Sequence, residues 1–413
     1  MKKLLVAIGI FIFTFIMYFG IATQWTFVPR WTLDHLNPLA QSMRQFRFDI
    51  PDPPLTYDLI NFKGKWYAPW GPLSAFMLAF IQLIKGRYVP TIYLSLFSSS
   101  VNAVIVFFLL ARVRKEFLPK MKIYDLFVFF IFFLFGTTLV YVGTIGSSWH
   151  VDQMATSMFA TLGIYFVVKK KRSYIDYLYS ASSFALTLIG RPTYSMLLFL
   201  PGLLYLFDSK LFNSDWNGKI LVIKKGSILF GIPVFIGILF FFSYNYLRFG
   251  NVLEYGFRYI HEAPYLEARR YAYGAFSISH LWYNLRYMLF EIPKISFDNP
   301  RILEFNLKGN SIFFLSPPFL AIFLASPFLK RKKSIGIDPL TASIWITAIV
   351  TMIPSLLVYS TGWMQFGFRY SLDIVVLLLL LTVFGMKGKA NSLFVIGTVF
   401  SIWIHSVGIR LLQ

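Results

Sequence analysis

Long runs of apolar residues, separated by short polar segments, make up most of this chain. Most of these runs approach the roughly 20 residues that an α-helix needs to cross the hydrocarbon core of a bilayer. The pattern predicts an all-α integral membrane protein with about eleven transmembrane helices in one polytopic domain, residues 1–413. The predicted spans are residues 4–21, 89–111, 123–143, 153–168, 174–190, 193–207, 226–247, 311–329, 339–359, 371–386 and 391–409.

One apolar run is too short to span a membrane. Residues 72–84 provide about 13 apolar positions, well below the length needed in helix, so we predict an interfacial amphipathic helix there. Counting this run as a span would place the basic cluster at 112–122 outside, against the preference of Lys and Arg for cytoplasmic loops. With the N-terminus in the cytoplasm and residues 4–21 as a retained signal-anchor, the segment that follows lies outside.

Two long segments are predicted on the non-cytoplasmic side. The first, residues 23–88, contains a polar island from Trp31 to Trp70 and the interfacial helix at 72–84. The second, residues 248–310, has apolar residues at helical spacing and predicts another interfacial helix at 279–292. Functional groups are therefore expected on short outer segments above a helical bundle.

Composition and charge agree with a multi-pass protein of the cell (cytoplasmic) membrane. The chain is 57% hydrophobic and has a net charge of +21, and its basic residues cluster in the predicted cytoplasmic loops. Topology thus accounts for the charge, and no nucleic-acid partner is needed. The absence of cysteine excludes disulfides, thiolate nucleophiles and thiolate metal sites. The clusters are Lys2 with Lys3, residues 112–122, Lys169 to Arg172, Lys210 to Lys225, Lys330 to Lys333, and Lys387 with Lys389.

Ionisable residues recur at the outer ends of the predicted spans. Such residues are costly at membrane depth and usually functional, so we expect helix packing to gather them around an outer cavity. Arginine forks bind phosphate oxygens in bidentate fashion, and a carboxylate can take the proton of an attacking hydroxyl. The candidates are Asp34, Trp149, His150, Asp152, Arg191, Arg369, Tyr370 and Asp373.

The polar island holds four carboxylates. They are Asp34, Asp49, Asp52 and Asp58. The last three lie among prolines and are interpreted as turn formers. Asp34, nearest the membrane boundary, is a candidate catalytic base, with the N-cap of an interfacial helix as its alternative role. A divalent cation bound by Asp34, His150 and Asp152 is a further possibility, although the spacing of these residues is not diagnostic.

Several short motifs follow one another along the chain. After the first span come Asp34-His35, Ala40, Met43, Phe62-Lys63-Gly64-Lys65-Trp66-Tyr67, Pro72-Leu73 with the short apolar helix, Gly190-Arg191-Pro192, and the run from Gln365 to Asp373. This order resembles the C-type (GT-C) membrane glycosyltransferases, in particular the bacterial branch that uses polyprenyl-phosphate sugars, such as aminoarabinose and mannosyl transferases. The resemblance covers most of the chain by layout, but no single motif is long.

The resemblance implies an inverting transfer of a hexose or pentose from a polyprenyl-phosphate donor to a glycan, lipid or protein acceptor at the outer face. By position it implies Asp34 as the catalytic base, assisted by His150 and Asp152. The chain departs from the pattern where Asp34-His35 replaces a frequent Asp-Glu and Trp70-Gly71-Pro72 replaces a frequent Lys-Pro-Pro. The implied substrate contacts are His35, Lys65, Arg191, Arg369, Tyr370 and Asp373, with the two arginines on phosphate.

Simpler interpretations stay open for several of these residues. His150 beside a tryptophan is also typical of a membrane interface, and Arg191 can extend to lipid headgroups. Arg369 and Asp373, four residues apart, can form an ion pair within one helix. Lys65 belongs to a predicted tight turn, where solvation alone accounts for its charge.

Other functions fit a polytopic protein of this kind. They are a lipid or polyanion transporter or flippase, a lipid-linked polysaccharide polymerase or ligase, and a non-catalytic membrane scaffold. A transporter is expected to show paired repeats and broken helices near the bilayer midplane. No such repeat is evident in the sequence, and the ionisable groups concentrate at span ends, which favours the enzyme.

Overall fold

The computed structural model describes residues 1–30, 32–209, 216–295, 303–331, 334–362 and 365–412. Several residues named above lie outside the described residues: Trp31, part of the second predicted outer segment (296–302), and parts of two basic clusters (210–215 and 332–333). Helices predominate in the described part of the chain, and five of them are long and apolar enough to cross a membrane. These five are α1 (Lys2–Ala22), α4 (Ile92–Glu116), α10 (Trp216–Phe249), α14 (Pro339–Leu357) and α16 (Ser392–Leu412).

The other described α-helices do not combine this length and hydropathy. They are α2 (Leu36–Met43), α3 (Leu73–Lys85), α5 (Ile123–Phe135), α6 (Thr138–Gly143), α7 (Ser148–Val167), α8 (Tyr174–Gly190), α9 (Phe199–Asp208), α11 (Pro264–Tyr273), α12 (Leu281–Leu285), α13 (Ile312–Leu315) and α15 (Val375–Gly385). The helix expected at 72–84 is thus found as α3, one residue later. Three two-stranded antiparallel sheets are β1 (Ile60–Phe62) with β2 (Lys65–Tyr67), β3 (Lys294–Ile295) with β4 (Leu303–Glu304), and β5 (Phe328–Arg331) with β6 (Ser334–Ile337).

The segment predicted as one span at 123–143 is broken into α5 and α6. Gly136 ends α5, and a Cβ there would come within 2.8 Å of the Phe132 ring. The Thr137 hydroxyl accepts a hydrogen bond from the Leu139 backbone N–H at 3.3 Å and so begins α6. Glycine favours helix ends and threonine favours helix starts, so this pair interrupts a run that is apolar throughout.

Prolines cause two further departures from continuous spans. The segment at 311–329 contains α13, then a 3₁₀-helix at Pro317–Leu324, and it reaches strand β5. The segment at 193–207 begins as a 3₁₀-helix at Pro192–Leu198 before α9. Proline lacks the backbone N–H that an α-helix needs and restricts the preceding residue, which explains both interruptions. The segment at 371–386 also starts as a 3₁₀-helix, Arg369–Ile374, ahead of α15.

The second outer segment is built from short pieces. The helix expected at 279–292 is divided into a 3₁₀-turn (Ile278–His280), α12 and a π-helical turn (Arg286–Phe290). Earlier in the same segment come a 3₁₀-turn at Phe257–Tyr259 and α11. The buried ion pair between Arg270 Nε and Glu262 Oε1, 2.8 Å apart, holds this segment together, and the Tyr359 hydroxyl donates to the same carboxylate.

Helix α7 lies at the centre of the bundle. It packs against α4 and α8, and α3 also contacts it. It starts at Ser148, five residues before the predicted span, so the polar residues at 150–153 occupy its first turns. The N-terminal end of α7 contacts the segment before α2 and the start of α3, because Ser148 Oγ accepts from the His35 N–H and Asp152 accepts from Ser74.

Backbone contacts join the outer segments to the helix ends. The Gly71 N–H donates to Gly190 O at 2.9 Å, which places the loop before α3 directly on the end of α8. Ile60 pairs with Ile260 in an isolated β-bridge, which connects the two outer segments. The Arg248 guanidinium, at the end of α10, donates to Ala68 O at 2.7 Å. These contacts set the positions of the residues described next.

Candidate functional site

Two arginines and a tyrosine form the cationic part of the site. Arg191 directly follows α8, while Arg369 and Tyr370 open the 3₁₀-helix before α15. The Cζ atoms of Arg191 and Arg369 lie 5.6 and 5.2 Å from the centre of the Tyr370 ring. The described ion pairs include neither arginine, and both Nε atoms are buried without a hydrogen-bond partner among the described residues. The two guanidiniums thus retain unused donors beside one ring.

Two buried carboxylates accompany these arginines. Asp152, fully buried, accepts a hydrogen bond from Ser74 Oγ at 2.6 Å through Oδ1, and its Oδ2 has no partner among the described residues. Asp373 accepts from Gln153 Nε2 at 2.8 Å. Arg191 interacts electrostatically with both carboxylates. The pairing of opposite charges lowers the cost of burying this cluster.

The ion pair considered between Arg369 and Asp373 is not seen among the described residues. Gln153 lies between them instead, because its Nε2 donates both to Arg369 O at 3.0 Å and to the Asp373 carboxylate. Thr193 Oγ1 gives Asp373 a second, longer contact at 3.4 Å. Asp373 therefore helps to position the segment that carries Arg369, while the guanidinium itself stays available.

Asp34 occupies the start of α2 and acts as a helix cap. Its Oδ1 accepts from the backbone N–H groups of Leu36 and Asn37 at 2.9 and 3.0 Å, and its Oδ2 accepts from Asn37 Nδ2 at 2.6 Å. Asn37 in turn contacts Gln82 of α3. These bonds satisfy backbone donors at the helix start, as capping requires. The capping alternative is thus observed, and the catalytic role of Asp34 stays a prediction.

His35 is buried next to Asp34. Its Nε2 lies 3.2 Å from Tyr57 O, which assigns the proton to that nitrogen, and its ring stacks on Trp70 with centroids 6.1 Å apart. Burial lowers the pKa of His35, against smaller opposing effects of the Tyr57 carbonyl, Asp58 and Asp34. The imidazole is therefore neutral at pH 7, and it lies between two carboxylates.

We expect the first outer segment to lose stability in mild acid because of His35. A histidine whose pKa is lower in the folded state than its unfolded value of about 6.5 contributes stability above that pH, and this contribution is lost as the pH falls through the folded-state pKa. Amide hydrogen exchange of residues 34–70 at pH 7.5 and 5.5 measures the effect. The variant His35→Gln should show a weaker pH dependence, and an unchanged dependence would contradict the assignment.

The described contacts of His150 and Lys65 do not include the unused donors of the two arginines. Both ring nitrogens of His150 are engaged, Nδ1 with Ser147 Oγ at 2.6 Å and Nε2 with the Tyr141 hydroxyl at 3.2 Å. Lys65 is exposed on β2, where its charge acts on Asp49. The pKa of that carboxyl is lowered chiefly by its hydrogen bond to Arg47. A structural role thus accounts for the described contacts of His150.

The divalent-cation alternative receives no support from the described residues. Among them, no group of three or more histidine or acidic side chains could hold a metal ion. Asp34 and Asp152 are engaged by different partners, Asn37 and Ser74. The unused ligands therefore do not converge on one point.

An aromatic row was missed by the sequence analysis. Trp70 packs edge-on against Trp149 with ring centroids 4.7 Å apart, and the Arg369 Cζ lies 5.5 Å from the Trp149 ring. Trp149 Nε1 donates to Asp58 Oδ2 at 3.0 Å. The sequence analysis included Trp149 among the residues at the outer ends of spans and interpreted Asp58 as a turn former, without connecting the two. No local pattern connects residues 58 and 149, so only the tertiary structure reveals this contact.

A large apolar groove opens beside α3. It has a volume of about 1100 Å³ and lies between α1, α3 and the start of α4. Phe76 and Phe80 are among its apolar lining residues, and Lys85, Arg87 and Tyr88 line it as well. Ser74 of α3 bonds to Asp152, so a single helix borders both the groove and the buried polar cluster.

Comparison with known protein families, with curated proteins and with solved structures finds no match for this chain. The functional assignment therefore depends on the chemistry of the site.

Proposed function

We propose that this protein is a polytopic membrane glycosyltransferase, with about eleven spans and a cytoplasmic N-terminus, that uses a polyprenyl-phosphate sugar at the non-cytoplasmic face. The observation that carries the proposal is the pair of guanidiniums around Tyr370 with unused buried donors. Arg191 also interacts with Asp152 and Asp373, yet the Nε donors of both arginines stay without partners, and a buried donor without a partner is costly unless a ligand accepts its hydrogen bond. A phosphate group fits this requirement because arginine binds its oxygens in a fork geometry.

The reaction we propose is an inverting displacement at the anomeric carbon of the donor sugar. The acceptor hydroxyl forms the new bond to that carbon while the bond from the carbon to the phosphate oxygen breaks. The lipid phosphate leaves with the bonding electrons, and Arg191 and Arg369 stabilise its negative charge. An outer-segment carboxylate takes the proton of the hydroxyl, and Asp34 is the candidate for that role that the resemblance to GT-C enzymes implies.

The groove supports a lipid-linked donor rather than a soluble one. Its apolar walls suit an isoprenoid chain, which can move between the lipid and the groove at little cost because both are apolar. Lys85 and Arg87 also line the groove and give it positive charge. The donor chain is thus proposed to lie along α3, whose other side contacts Asp152 through Ser74.

Turnover of defined donors by the reconstituted full chain tests this function. Purified protein in vesicles of phosphatidylethanolamine and phosphatidylglycerol is given radiolabelled polyprenyl-phosphate mannose or aminoarabinose with a cell-envelope lipid extract as acceptor. We expect release of polyprenyl phosphate and labelling of an acceptor. Folded protein that consumes neither donor contradicts the proposal. Movement of a fluorescent lipid between leaflets without sugar transfer would instead favour the transporter or flippase alternative, and elongation of lipid-linked glycan would favour the polymerase or ligase.

A further inference from the structure

Asp58 is held in a defined position at the outer side of the site. It lies in the turn before β1 with φ of 62°, and its N–H donates to His261 O at 2.8 Å. Trp149 Nε1 donates to its Oδ2 at 3.0 Å. The residue is partly exposed, and no hydrogen bond to its Oδ1 is seen among the described residues. One carboxylate oxygen is therefore fixed by an indole while the other is available to a ligand.

The Trp149 ring connects this carboxylate to the cationic part of the site. Its nitrogen bonds to Asp58, and the Cζ of Arg369 lies 5.5 Å from its centre. A single side chain thus sets the distance between a carboxylate and an arginine with unused donors. A hydroxyl bound at Asp58 and a phosphate bound at Arg369 would lie on neighbouring parts of one surface.

The other two candidate carboxylates are less suited to receive a proton from an incoming hydroxyl. Asp34 uses both oxygens to accept three hydrogen bonds from Leu36 and Asn37. Asp152 is 0% exposed, accepts from Ser74 Oγ and interacts with Arg191, so it belongs with the cations proposed to bind the phosphate. A general base must lie within hydrogen-bond reach of the proton that it removes. Of Asp34, Asp58 and Asp152, Asp58 is the residue that is partly exposed and also has a carboxylate oxygen with no hydrogen-bond partner among the described residues.

We propose that Asp58 is the catalytic base of the transfer reaction and that Asp34 caps α2. This inference rests on the proposed function. The acceptor oxygen bonds to the anomeric carbon, the bond from that carbon to the phosphate oxygen breaks, and the electron pair leaves with the lipid phosphate toward Arg369. The proton of the acceptor hydroxyl passes to Asp58 Oδ1. Trp149 is a positioning residue, because it holds Oδ2 while Oδ1 has no hydrogen-bond partner among the described residues.

Asp58→Asn and Asp52→Asn form a matched pair of variants for the test, because both residues lie in the first outer segment with a positive φ. Asparagine tolerates this φ, and at residue 58 it can still accept the indole hydrogen bond. With either donor, we expect Asp58→Asn to lower the rate of polyprenyl-phosphate release by about 100-fold or more. Asp52→Asn, at an exposed residue, should retain the wild-type rate. Polyprenyl phosphate binding, followed by tryptophan fluorescence, should be unchanged in both variants.

The possible outcomes are distinct. An Asp58→Asn protein that binds polyprenyl phosphate and turns over like the wild type overturns the role of Asp58 and leaves the proposed function intact. A wild type that is folded but inactive on both donors overturns the proposed function and this role together. If Asp58→Asn fails to fold, Trp149→Phe provides the second test, since it keeps an aromatic ring and the Asp58 carboxylate but removes the indole donor. Its kcat should fall while polyprenyl phosphate binding is preserved, and an unchanged kcat would contradict the proposal.

Discussion

Arg369→Gln should lower the turnover of a lipid-phosphate sugar by about 100- to 1000-fold while leaving the unfolding temperature near that of the wild type. Removing one preorganised donor from a developing negative charge typically costs this much in kcat. The Arg369 side chain forms none of the described ion pairs, and its Nε has no described partner, so few native interactions are lost. Donor turnover and thermal unfolding in detergent provide the two measurements.

The neighbouring arginine should behave differently. Arg191 interacts electrostatically with both Asp373 and Asp152, so Arg191→Gln leaves these buried carboxylates with less compensating charge. We expect it to lose activity and also to destabilise the protein by roughly 2 kcal/mol or more. Arg258→Gln, at a side chain that is 71% exposed, is the control and should change neither quantity. If Arg369→Gln kept the full wild-type turnover, the proposed role of Arg369 in binding the phosphate would be wrong.

Gly71→Ala should prevent the first outer segment from docking on the bundle. A Cβ at residue 71 would come within 2.0 Å of Ile189 O and 2.4 Å of Gly190 O, and both are backbone atoms that cannot move aside alone. The hydrogen bond from Gly71 N to Gly190 O would be lost as well. Overpacking of this kind typically costs about 1–3 kcal/mol and occasionally more. We expect a lower unfolding temperature and loss of transfer.

A second glycine provides the control for Gly71→Ala. Gly202 lies in α9, and a Cβ there has no atom within 4 Å. Gly202→Ala should be neutral or slightly stabilising, because alanine is the better helix former. Equal unfolding temperatures for the two variants would show that the contact between Gly71 and Gly190 does not constrain the outer segment.

Those parts of the fold that depend on local pattern could be predicted from the sequence. Apolar length alone indicated α1 and α14, and the short apolar run before residue 85 indicated α3. The breaks at Gly136 and Pro317 were missed because a search for apolar length does not distinguish a continuous helix from two shorter ones. Glycine, threonine and proline at those positions are the signals that could have found them.

The candidate site could be predicted only in part, because several of its contacts join residues that are far apart in the sequence. Arg191 and Arg369 were recognisable because charge at the end of an apolar run is rare and costly. Ser74 and Gln153, which hold Asp152 and Asp373, are ordinary polar residues in sequence, and only the packing of α3 and α7 gives them partners. The contact between Asp58 and Trp149 joins residues 91 positions apart, and no local pattern encodes such a separation.

The length of α10 has a consequence for the depth of the site in the bilayer. Its 34 residues extend about 51 Å, whereas the hydrocarbon core is about 30 Å thick, and the usual tilts of up to about 40° do not remove the difference. At least one end must therefore stand among the lipid headgroups. Lys219 and Lys224 suit that environment at the start of the helix, whereas Tyr244 and Arg248 near its end are buried in the protein. Because Arg248 donates to Ala68 O, the loop leading to Trp70 keeps a fixed height relative to the end of α10, and the excess length is placed at the basic start.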